Sequence, residues 1–376
     1  MVLKLILAKK VRLKPTEEQE HQLWKSVGTA RWAYNWALDR QEMNYTSGGK
    51  FLSDNDLRKE LTQLKQAEEF SWLYDVSNNI TKQAIKDACE AYKKFFKHLA
   101  DKPKFKSRKK SKPSFYNDNV KLKVKAGIVL IEKVGWVKTS EQLPIGVKYT
   151  NPRVSFDGKY WYLSVGIEQE QAVGSLTSEV IGIDVGVKDL AVCSNGMIFK
   201  NINKSQRVKK LEKRLRRLQR KVSRRYEMNK EGSRFVKTCN IIKIEKQIRM
   251  LHRELNGIRN NHIHQATNAI VKAKPCKVVM ETLNIKGMMK NRHLSKAIAK
   301  QKLYDFKSKL QYKCEKFGVE FVEADKWFPS SKMCSCCGTI KQDLKLSERI
   351  YKCECGLVLD RDFNASINLS RYKLVV

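Results

Sequence analysis

The sequence predicts an α/β protein with several domains, and three features of the chain support that prediction. Short strand-like segments flank a long helical stretch in the first half, and the second half alternates buried strands with amphipathic helices. Near the C-terminus, two close pairs of cysteines have the spacing of a zinc ribbon. A chain of 376 residues is long enough for two or three domains with a sizeable core.

The charge of the chain indicates what it binds. The formal net charge is +37, from 76 Lys and Arg against 39 Asp and Glu, and such an excess attracts polyanions. A membrane surface is one candidate, but no apolar run approaches the roughly 18 residues of a membrane span. The run over residues 3–7 is too short and too charged for a signal peptide. Nucleic acid is therefore the predicted partner, with no membrane.

The first half of the chain is predicted to be a small β-barrel interrupted by helices. Residues 2–13 alternate apolar and basic side chains, and Thr16 with Gln19 forms a capping box that starts a helix able to bend at Gly28. After two further helical patterns, short alternating strands follow over residues 120–168. We expect residues 1–16 and 119–177 to form the barrel, with a helical domain inserted at 17–118.

A dense basic loop at residues 103–115 carries aromatic side chains among its charges. Phosphates and bases would both find partners in such a loop. The alternative is a solvated linker, and this stretch alone does not decide between the two. The basic side chains that we single out as candidate nucleic-acid contacts are Lys104, Lys106, Arg108, Lys109 and Lys110.

The second half opens with a predicted three-strand meander. A buried strand at residues 180–186 contains Asp184, and the next two strands are expected at 190–193 and 197–200. An acidic residue on the first strand of such a meander is how an RNase H-like sheet begins. The remaining elements are expected to be a strand at Lys277–Glu281, a helix over 298–317, a strand at 319–322 and a final helix opened by Asp362.

Two helical stretches separate the meander from the next strand. The first, residues 205–225, is strongly basic and has an apolar seam, and the second, 240–273, is expected to return antiparallel against that seam. A run of charges is often only a solvated face. Because the helix over 205–225 is so strongly basic, we expect part of its charged face to contact a nucleic-acid backbone. The candidate contacts are Arg214, Arg217, Arg220 and Arg224.

The cysteine pairs predict a zinc site. Each pair precedes a glycine that lets the backbone turn around a tetrahedral ion, and the expected ligands are Cys334, Cys337, Cys353 and Cys355. The second pair is Cys-x-Cys where Cys-x-x-Cys is usual, and Cys336 is a spare thiol that could replace a ligand. The alternative is that these are ordinary buried or reactive cysteines. Ten cysteines without a disulfide framework indicate a reducing compartment, so we expect a cytoplasmic location.

Three carboxylates stand where elements of the predicted sheet end or begin: Asp184, Glu281 and Asp362. Oxygen ligands grouped in this way suit magnesium or manganese. A pair of such ions about 4 Å apart can activate a water and stabilise the leaving oxygen of a phosphodiester. The alternative is three unrelated surface acids.

Several motifs resemble the TnpB family, the OrfB proteins of insertion sequences, which are related to type V CRISPR effectors. The resemblance covers nearly the whole chain. The motifs are Leu13-Lys-Pro-Thr, Gly28-Thr-Ala-Arg-x-x-Tyr-Asn, Tyr92-Lys-Lys-Phe-Phe, Pro103-Lys-Phe-Lys, Gly182-Ile-Asp184-Val-Gly, Glu281-Thr-Leu-Asn-Ile-Lys-Gly-Met, Phe328-Pro-Ser-Ser-Lys and Asp360-Arg-Asp-x-Asn-Ala-Ser-Ile-Asn.

This resemblance implies an RNA-guided DNA endonuclease encoded by a transposable element. A guide RNA from the transposon end would pair with target double-stranded DNA beside a short flanking motif that the protein reads. The compact size of the chain indicates a monomer that holds one guide RNA. The implied domains are a wedge β-barrel at 1–16 and 119–177, a recognition bundle at 17–118, and a RuvC nuclease domain at 178–327 and 359–376. That nuclease domain carries a basic helical insert, 204–275, and a zinc ribbon, 328–358.

The resemblance also implies roles for single residues. Asp184, Glu281 and Asp362 match the RuvC triad, with Mg²⁺ or Mn²⁺ as the catalytic metal, whereas Asp360 is not expected to be a ligand. Gln83 stands where the family contacts the flanking motif, although the residues just before it differ. The zinc ion would have a structural role.

Three other functions compete with this interpretation. A nuclease-dead, RNA-guided repressor is expected to lack triad residues, and all three are present. A transposase that acts directly on DNA ends, if of the tyrosine type, needs a nucleophilic Tyr beside paired histidines, whereas His262 and His264 lie in a helical stretch with no nearby Tyr. A passive zinc-ribbon binder leaves Asp184 and Glu281 unexplained.

Overall fold

The computed structural model describes residues 4–171, 174–345 and 348–372. The chain forms two compact units, Lys4–Gln169 and a second unit that begins at Glu170. Both mix strands with helices. Among the described residues, none of the helices combines the length and the apolar character that a membrane crossing requires.

The first unit is built on a seven-stranded sheet. The order of its strands is β2-β6-β7-β1-β5-β4-β3, so the N-terminal strand lies at the centre, between strands that come more than a hundred residues later. The sheet is open at β2 and β3 and curls as a half-barrel. Its strands are β1 Lys4–Lys14, β2 Ser114–Tyr116, β3 Lys123–Lys125, β4 Ile128–Ile131, β5 Gly135–Thr139, β6 Tyr149–Phe156 and β7 Trp161–Glu170.

Three helices are inserted between β1 and β2: α1 Glu17–Thr46, α2 Asp54–Leu64 and α3 Asn78–Phe96. The predicted capping box is present, because the Thr16 hydroxyl accepts from the Gln19 backbone N–H and the Gln19 side chain accepts from that of Thr16. The expected bend at Gly28 does not interrupt α1. The strand expected from residue 120 begins only at Lys123, because the Asp118 carboxylate accepts the N–H groups of Val120 and Lys121 and holds a turn there.

The second unit contains a five-stranded sheet in the order β10-β9-β8-β13-β14. The first three strands form the predicted antiparallel meander, and β8, β13 and β14 run parallel. The strands of this unit are β8 Val180–Val185, β9 Asp189–Cys193, β10 Ile198–Lys200, β11 Lys230–Glu231, β12 Arg234–Phe235, β13 Lys277–Glu281, β14 Glu320–Ala324, β15 Ile350–Lys352 and β16 Val358–Asp360.

The helices of this unit are α4 Gln206–Met228, α5 Cys239–Lys272, α6 Ile285–Lys290, α7 Ser295–Gln301, α8 Leu303–Phe317 and α9 Arg361–Ser370. Helices α4 and α5 pack along the predicted seam, with Val208 and Leu215 buried against Leu251 and Leu255. The single helix expected over 298–317 is instead divided between α7 and α8. The division falls at Lys302, whose backbone is left-handed with φ of 57°.

Candidate active site and metal centre

Asp184 and Glu281 lie side by side at the carboxyl ends of two neighbouring parallel strands. Strands β8 and β13 are paired in register from Lys277 opposite Val180 to Met280 opposite Ile183, so Glu281 is the next residue opposite Asp184. Residues that lie opposite one another in a sheet project from the same face. The backbone N–H of Val185 donates a hydrogen bond to the Glu281 carboxylate. The sheet therefore brings two of the three predicted carboxylates together.

Helix α9 brings the third carboxylate to the same face of the sheet. Gly182 and Asp184 point to one side of β8 because side chains alternate along a strand. A Cβ on Gly182 would lie 2.0 Å from the Ser366 carbonyl oxygen and 2.3 Å from the Ser370 nitrogen, so the backbone of α9 crosses β8 at this glycine. Asp362 is one helical turn before Ser366 and on the same stripe of α9, which places it over Asp184.

Burial and the repulsion of neighbouring carboxylates raise the pKa values of Asp184 and Glu281. Burial raises the pKa of Asp184 well above its usual value, and the charges of Glu281 and Asp362 raise it further. Burial raises the pKa of Glu281 to about 7, although the Val185 N–H partly offsets this. The nearby Arg361 guanidinium, 3.5 Å from an Asp362 carboxylate oxygen, opposes the shift of Asp184. These like charges are suited to compensation by a bound cation.

Among the residues that the structure describes, the four cysteines of the ribbon form the one group of three or more possible metal ligands whose ligand atoms all lie within 4.8 Å of one another.

Asp360 has a different task from its neighbour Asp362. It is the N-cap of α9, and its carboxylate accepts from the backbone N–H of Asp362 at 3.0 Å and from that of Phe363 at 3.2 Å. It also forms an ion pair with Lys188 at 3.1 Å. Burial opposes the ionisation of Asp360, but these hydrogen bonds outweigh it and lower its pKa. Asp360 therefore fixes the start of the helix that carries Asp362.

The four thiols of the ribbon match a tetrahedral zinc site. The Sγ atoms of Cys334 and Cys355 are 3.6 Å apart, and those of Cys337 and Cys353 are 3.5 Å apart. A Zn–S bond of about 2.3 Å gives a tetrahedron with S–S edges of about 3.8 Å. Cys336 is exposed and stands outside this group. The geometry therefore fits the four expected ligands, with the spare thiol left out.

Each cysteine turn is closed by a backbone hydrogen bond from its glycine, which spans four residues in the first turn and three in the second. In the first turn Gly338 donates to the Cys334 carbonyl, and in the second Gly356 donates to that of Cys353. The φ angles of the two glycines are 78° and 90°, in the left-handed region that a glycine adopts without strain. The predicted glycine turns are therefore present.

The ribbon is tied to α9 by residues that sequence reasoning had assigned no role. Asn364 accepts from the Ser335 N–H at 3.0 Å and donates to the Met333 carbonyl at 2.7 Å. Asn368 donates to the Ser330 carbonyl at 2.8 Å and also to that of Met333. Asparagine is unfavourable inside a helix, so two asparagines four residues apart in one helix were the signal in the sequence that could have indicated this contact.

Gln83 lies in the first unit, where it lines a cavity of about 300 Å³ together with Trp24 and Arg108. Its amide donates to Asp87 at 2.8 Å. Asp87 in turn holds both terminal nitrogens of Arg153, at 2.9 and 3.0 Å. The cavity therefore contains a fixed hydrogen-bonding surface beside a basic loop.

Most of the basic side chains that are candidate nucleic-acid contacts are exposed to solvent. Lys104, Arg108, Lys109 and Lys110 are exposed on the basic loop, as are Arg214, Arg217, Arg220 and Arg224 on α4. Lys106 is the exception, because its ammonium lies 3.5 Å from the centre of the Tyr34 ring and burial lowers its pKa. The Asn35 side chain holds the Lys106 backbone at both its N–H and its carbonyl group.

Profiles of known families match three parts of the chain. One described as "Probable transposase", of the IS605 OrfB type, matches residues 163–292, and one described as "Cas12f1-like, TNB domain" matches residues 304–369. A third, described as "Helix-turn-helix domain", matches residues 1–50. Over Lys4–Thr46 the structure instead shows one strand followed by one helix.

Solved structures with a similar fold are CRISPR effectors. A Cas12f1–sgRNA–target DNA complex matches with a TM-score of 0.59 and 14% identity, over 98% of this chain and 99% of that one. The mini-RNA-guided endonuclease CRISPR-Cas_phi3 matches with a TM-score of 0.52 and 10% identity, over 98% of this chain and 92% of the other. These likenesses confirm the predicted fold class.

Relatives of similar length are found among bacterial proteins. A "Putative RNA-guided DNA endonuclease" of Streptomyces pristinaespiralis is 31% identical and aligns over 96% of this chain and 87% of its own length. "Putative RNA-guided DNA endonuclease InsQ" of Escherichia coli K12 is 28% identical over 98% of this chain and 92% of its own length. The chain therefore belongs to the TnpB family, the OrfB proteins of insertion sequences.

Proposed function

We propose that this protein is an RNA-guided endonuclease that cuts double-stranded DNA beside a short flanking motif. The observation that carries the proposal is the convergence of Asp184, Glu281 and Asp362, which come from three distant segments, at one end of an RNase H-like sheet. The net charge of +37 supports a polyanionic partner. The names of its bacterial relatives support the guided activity.

In this proposal the three carboxylates hold Mg²⁺ or Mn²⁺. Bound ions of this kind activate a water and stabilise the leaving oxygen of a phosphodiester. Because the pKa of Glu281 is raised to about 7, a metal bound there near neutral pH would compete with a proton for this carboxylate. Asp360 and Lys188 keep the start of α9 in place, so that Asp362 meets the other two carboxylates.

The remaining site residues are assigned to binding. Cys334, Cys337, Cys353 and Cys355 would bind a structural zinc ion. The exposed arginines of α4 and the exposed residues of the basic loop would contact nucleic-acid backbones, and Gln83 with its cavity would face the flanking motif. A guide RNA from the transposon end would supply the target sequence, and one protein chain would hold one RNA. We place this activity in the cytoplasm of a prokaryotic cell, where the target DNA lies.

The test begins with protein expressed together with its genomic flank and purified with any RNA that stays bound. That RNA is sequenced, and the complex is challenged with Mg²⁺ and plasmids that carry the guide's match beside randomised flanks. We expect depletion of one short flanking motif, and no depletion with Asp184→Ala, which should still bind the target.

Other outcomes would favour the alternatives. Guided binding by the wild-type protein without cleavage would favour the repressor. The absence of both bound RNA and cleavage would refute the guided function and leave a transposase or a passive binder to be tested.

A further inference from the structure

Two buried asparagines of α9 have no place in the mechanism above. Asn364 is fully buried and Asn368 is 2% exposed. A polar side chain buried this deeply needs hydrogen-bond partners, and both amides find theirs on one segment, residues 330–335. We call this pair the asparagine clamp.

The clamp lies between the two candidate metal centres. Its partners Met333 and Ser335 are the residues on either side of Cys334, one of the four clustered thiols. On the helix side, Asn364 is two residues from Asp362. The Asn364 amide, with its two hydrogen bonds, therefore links the segment around Cys334 to the helix that carries Asp362.

The position of α9 is determined from two directions. Its backbone rests on β8 at Gly182, where even one added carbon would collide with Ser366. Its other side is held by the clamp and by Arg371, whose guanidinium donates to the Ser335 carbonyl. The contact with β8 limits how closely the helix approaches the sheet, whereas the clamp resists rotation and sliding along it. Both kinds of displacement would move Asp362 away from Asp184.

We propose that Asn364 is a positioning residue that couples the zinc ribbon to the carboxylate site. The folded cysteine turn holds α9 in register through this amide, and so keeps Asp362 where it can share an ion with Asp184 and Glu281. The inference rests on the proposed function of those carboxylates. An amide is suited to the task because it donates to Met333 and accepts from Ser335 at the same time.

The test measures Mn²⁺ binding directly, by electron paramagnetic resonance, on the full chain with its bound RNA. The Asp184→Ala complex is measured in parallel, and the difference defines binding at the carboxylates. We expect Asn364→Ala to keep about one zinc per chain, because all four thiols remain. It should weaken carboxylate-specific Mn²⁺ binding by about 10- to 100-fold, the usual effect of removing an outer support of a metal site.

The matched control is Asn117→Ala, in the first unit. Asn117 is also buried, at 3% exposure, and its amide likewise bonds backbone groups, those of Asp118 and Glu132. A general loss of stability would appear in both variants, whereas weaker Mn²⁺ binding should appear only with Asn364→Ala. If Asn364→Ala does not fold, Asn368→Ala leaves the Ser335 hydrogen bond and should show a smaller loss in the same direction.

A double-mutant cycle decides whether the coupling passes through the clamp. Cys353→Ser should lose zinc and weaken Mn²⁺ binding, and it should have little further effect in the Asn364→Ala background. Fully additive losses, or wild-type Mn²⁺ binding in Asn364→Ala, would overturn the inference. Wild-type protein that binds no more Mn²⁺ than Asp184→Ala would instead refute the proposed metal site, so the two failures are distinguishable.

Discussion

The contact at Gly182 yields the most exacting prediction. Replacement by alanine places a Cβ 2.0 Å from the Ser366 carbonyl oxygen, whereas Cβ atoms essentially never approach a heavy atom of a residue elsewhere in the chain within 3.0 Å. Because the opposing atoms are backbone, the helix itself must move, by about 1 Å at least. Asp362 moves with it, and a displacement of about 1 Å at a catalytic group costs about 100-fold in rate.

The assay separates this effect from simple damage to the fold. Gly182→Ala should lower single-turnover cleavage of a matched plasmid by about 100-fold, while guide-dependent DNA binding changes little. The forced contact should also cost about 1–3 kcal/mol of stability. Gly257→Ala is the control, because Gly257 lies in α5 with nothing within 4 Å of the added carbon. Cleavage by Gly182→Ala within about threefold of wild type would refute the reasoning, since the displacement would then be harmless.

Three further predictions concern charge and metal. Since the pKa of Glu281 is about 7 in the folded protein against an ordinary 4.5, the unfolded chain loses this proton first as pH rises. Without added Mg²⁺ or Mn²⁺, stability to urea should therefore fall between those pH values, by roughly 3 kcal/mol at most, and Glu281→Gln should flatten the slope. If Glu281→Gln had the same dependence of stability on pH as the wild-type protein, the raised pKa of Glu281 would be contradicted. Cys337→Ser should lose zinc by elemental analysis and Cys336→Ser should keep it, and full occupancy in the first variant would rule out our ligand set. Arg217→Ala and Arg220→Ala should each reduce the salt dependence of nucleic-acid binding, by about 0.7–0.9 in the slope of log K against log salt, with no change in melting temperature. Lys106→Ala should lower the melting temperature, because its ammonium packs on Tyr34. A lower melting temperature in the arginine variants, with a reduced salt dependence only in Lys106→Ala, would show that Lys106 binds nucleic acid and that the arginines stabilise the fold.

The elements that the sequence predicts well are those governed by local chemistry. The Thr16 capping box, the strand at Lys277–Glu281 and the glycine turns of the ribbon each depend on residues close together in the chain. The three carboxylates were singled out because each stands at the start or end of such an element and matches a motif. Local rules were sufficient for these features.

The features that the sequence did not predict depend on distant residues. The break at Lys302 requires a left-handed lysine, whose ammonium is held by Asn260 and Asp305, and no local pattern favours glycine-like backbone there. Gly182 was part of a motif, but a glycine is needed there because the backbone of the helix that begins at Arg361 passes too close for a side chain. Asn364 likewise acquires its role only when the ribbon folds against that helix. Tertiary contacts of this kind leave little trace in a single sequence.

The late position of α9 has a consequence for synthesis. Strand β8 pairs with β13, which comes about ninety residues later, and the helix that carries Asp362 begins later still, at Arg361, so the three carboxylates can meet only after α9 has been synthesised. A translation product that stops before this helix would contain the entire first unit and the arginines of α4, yet only two of the three acids. If the three acids act as we propose, such a product could bind nucleic acid but could not cut it.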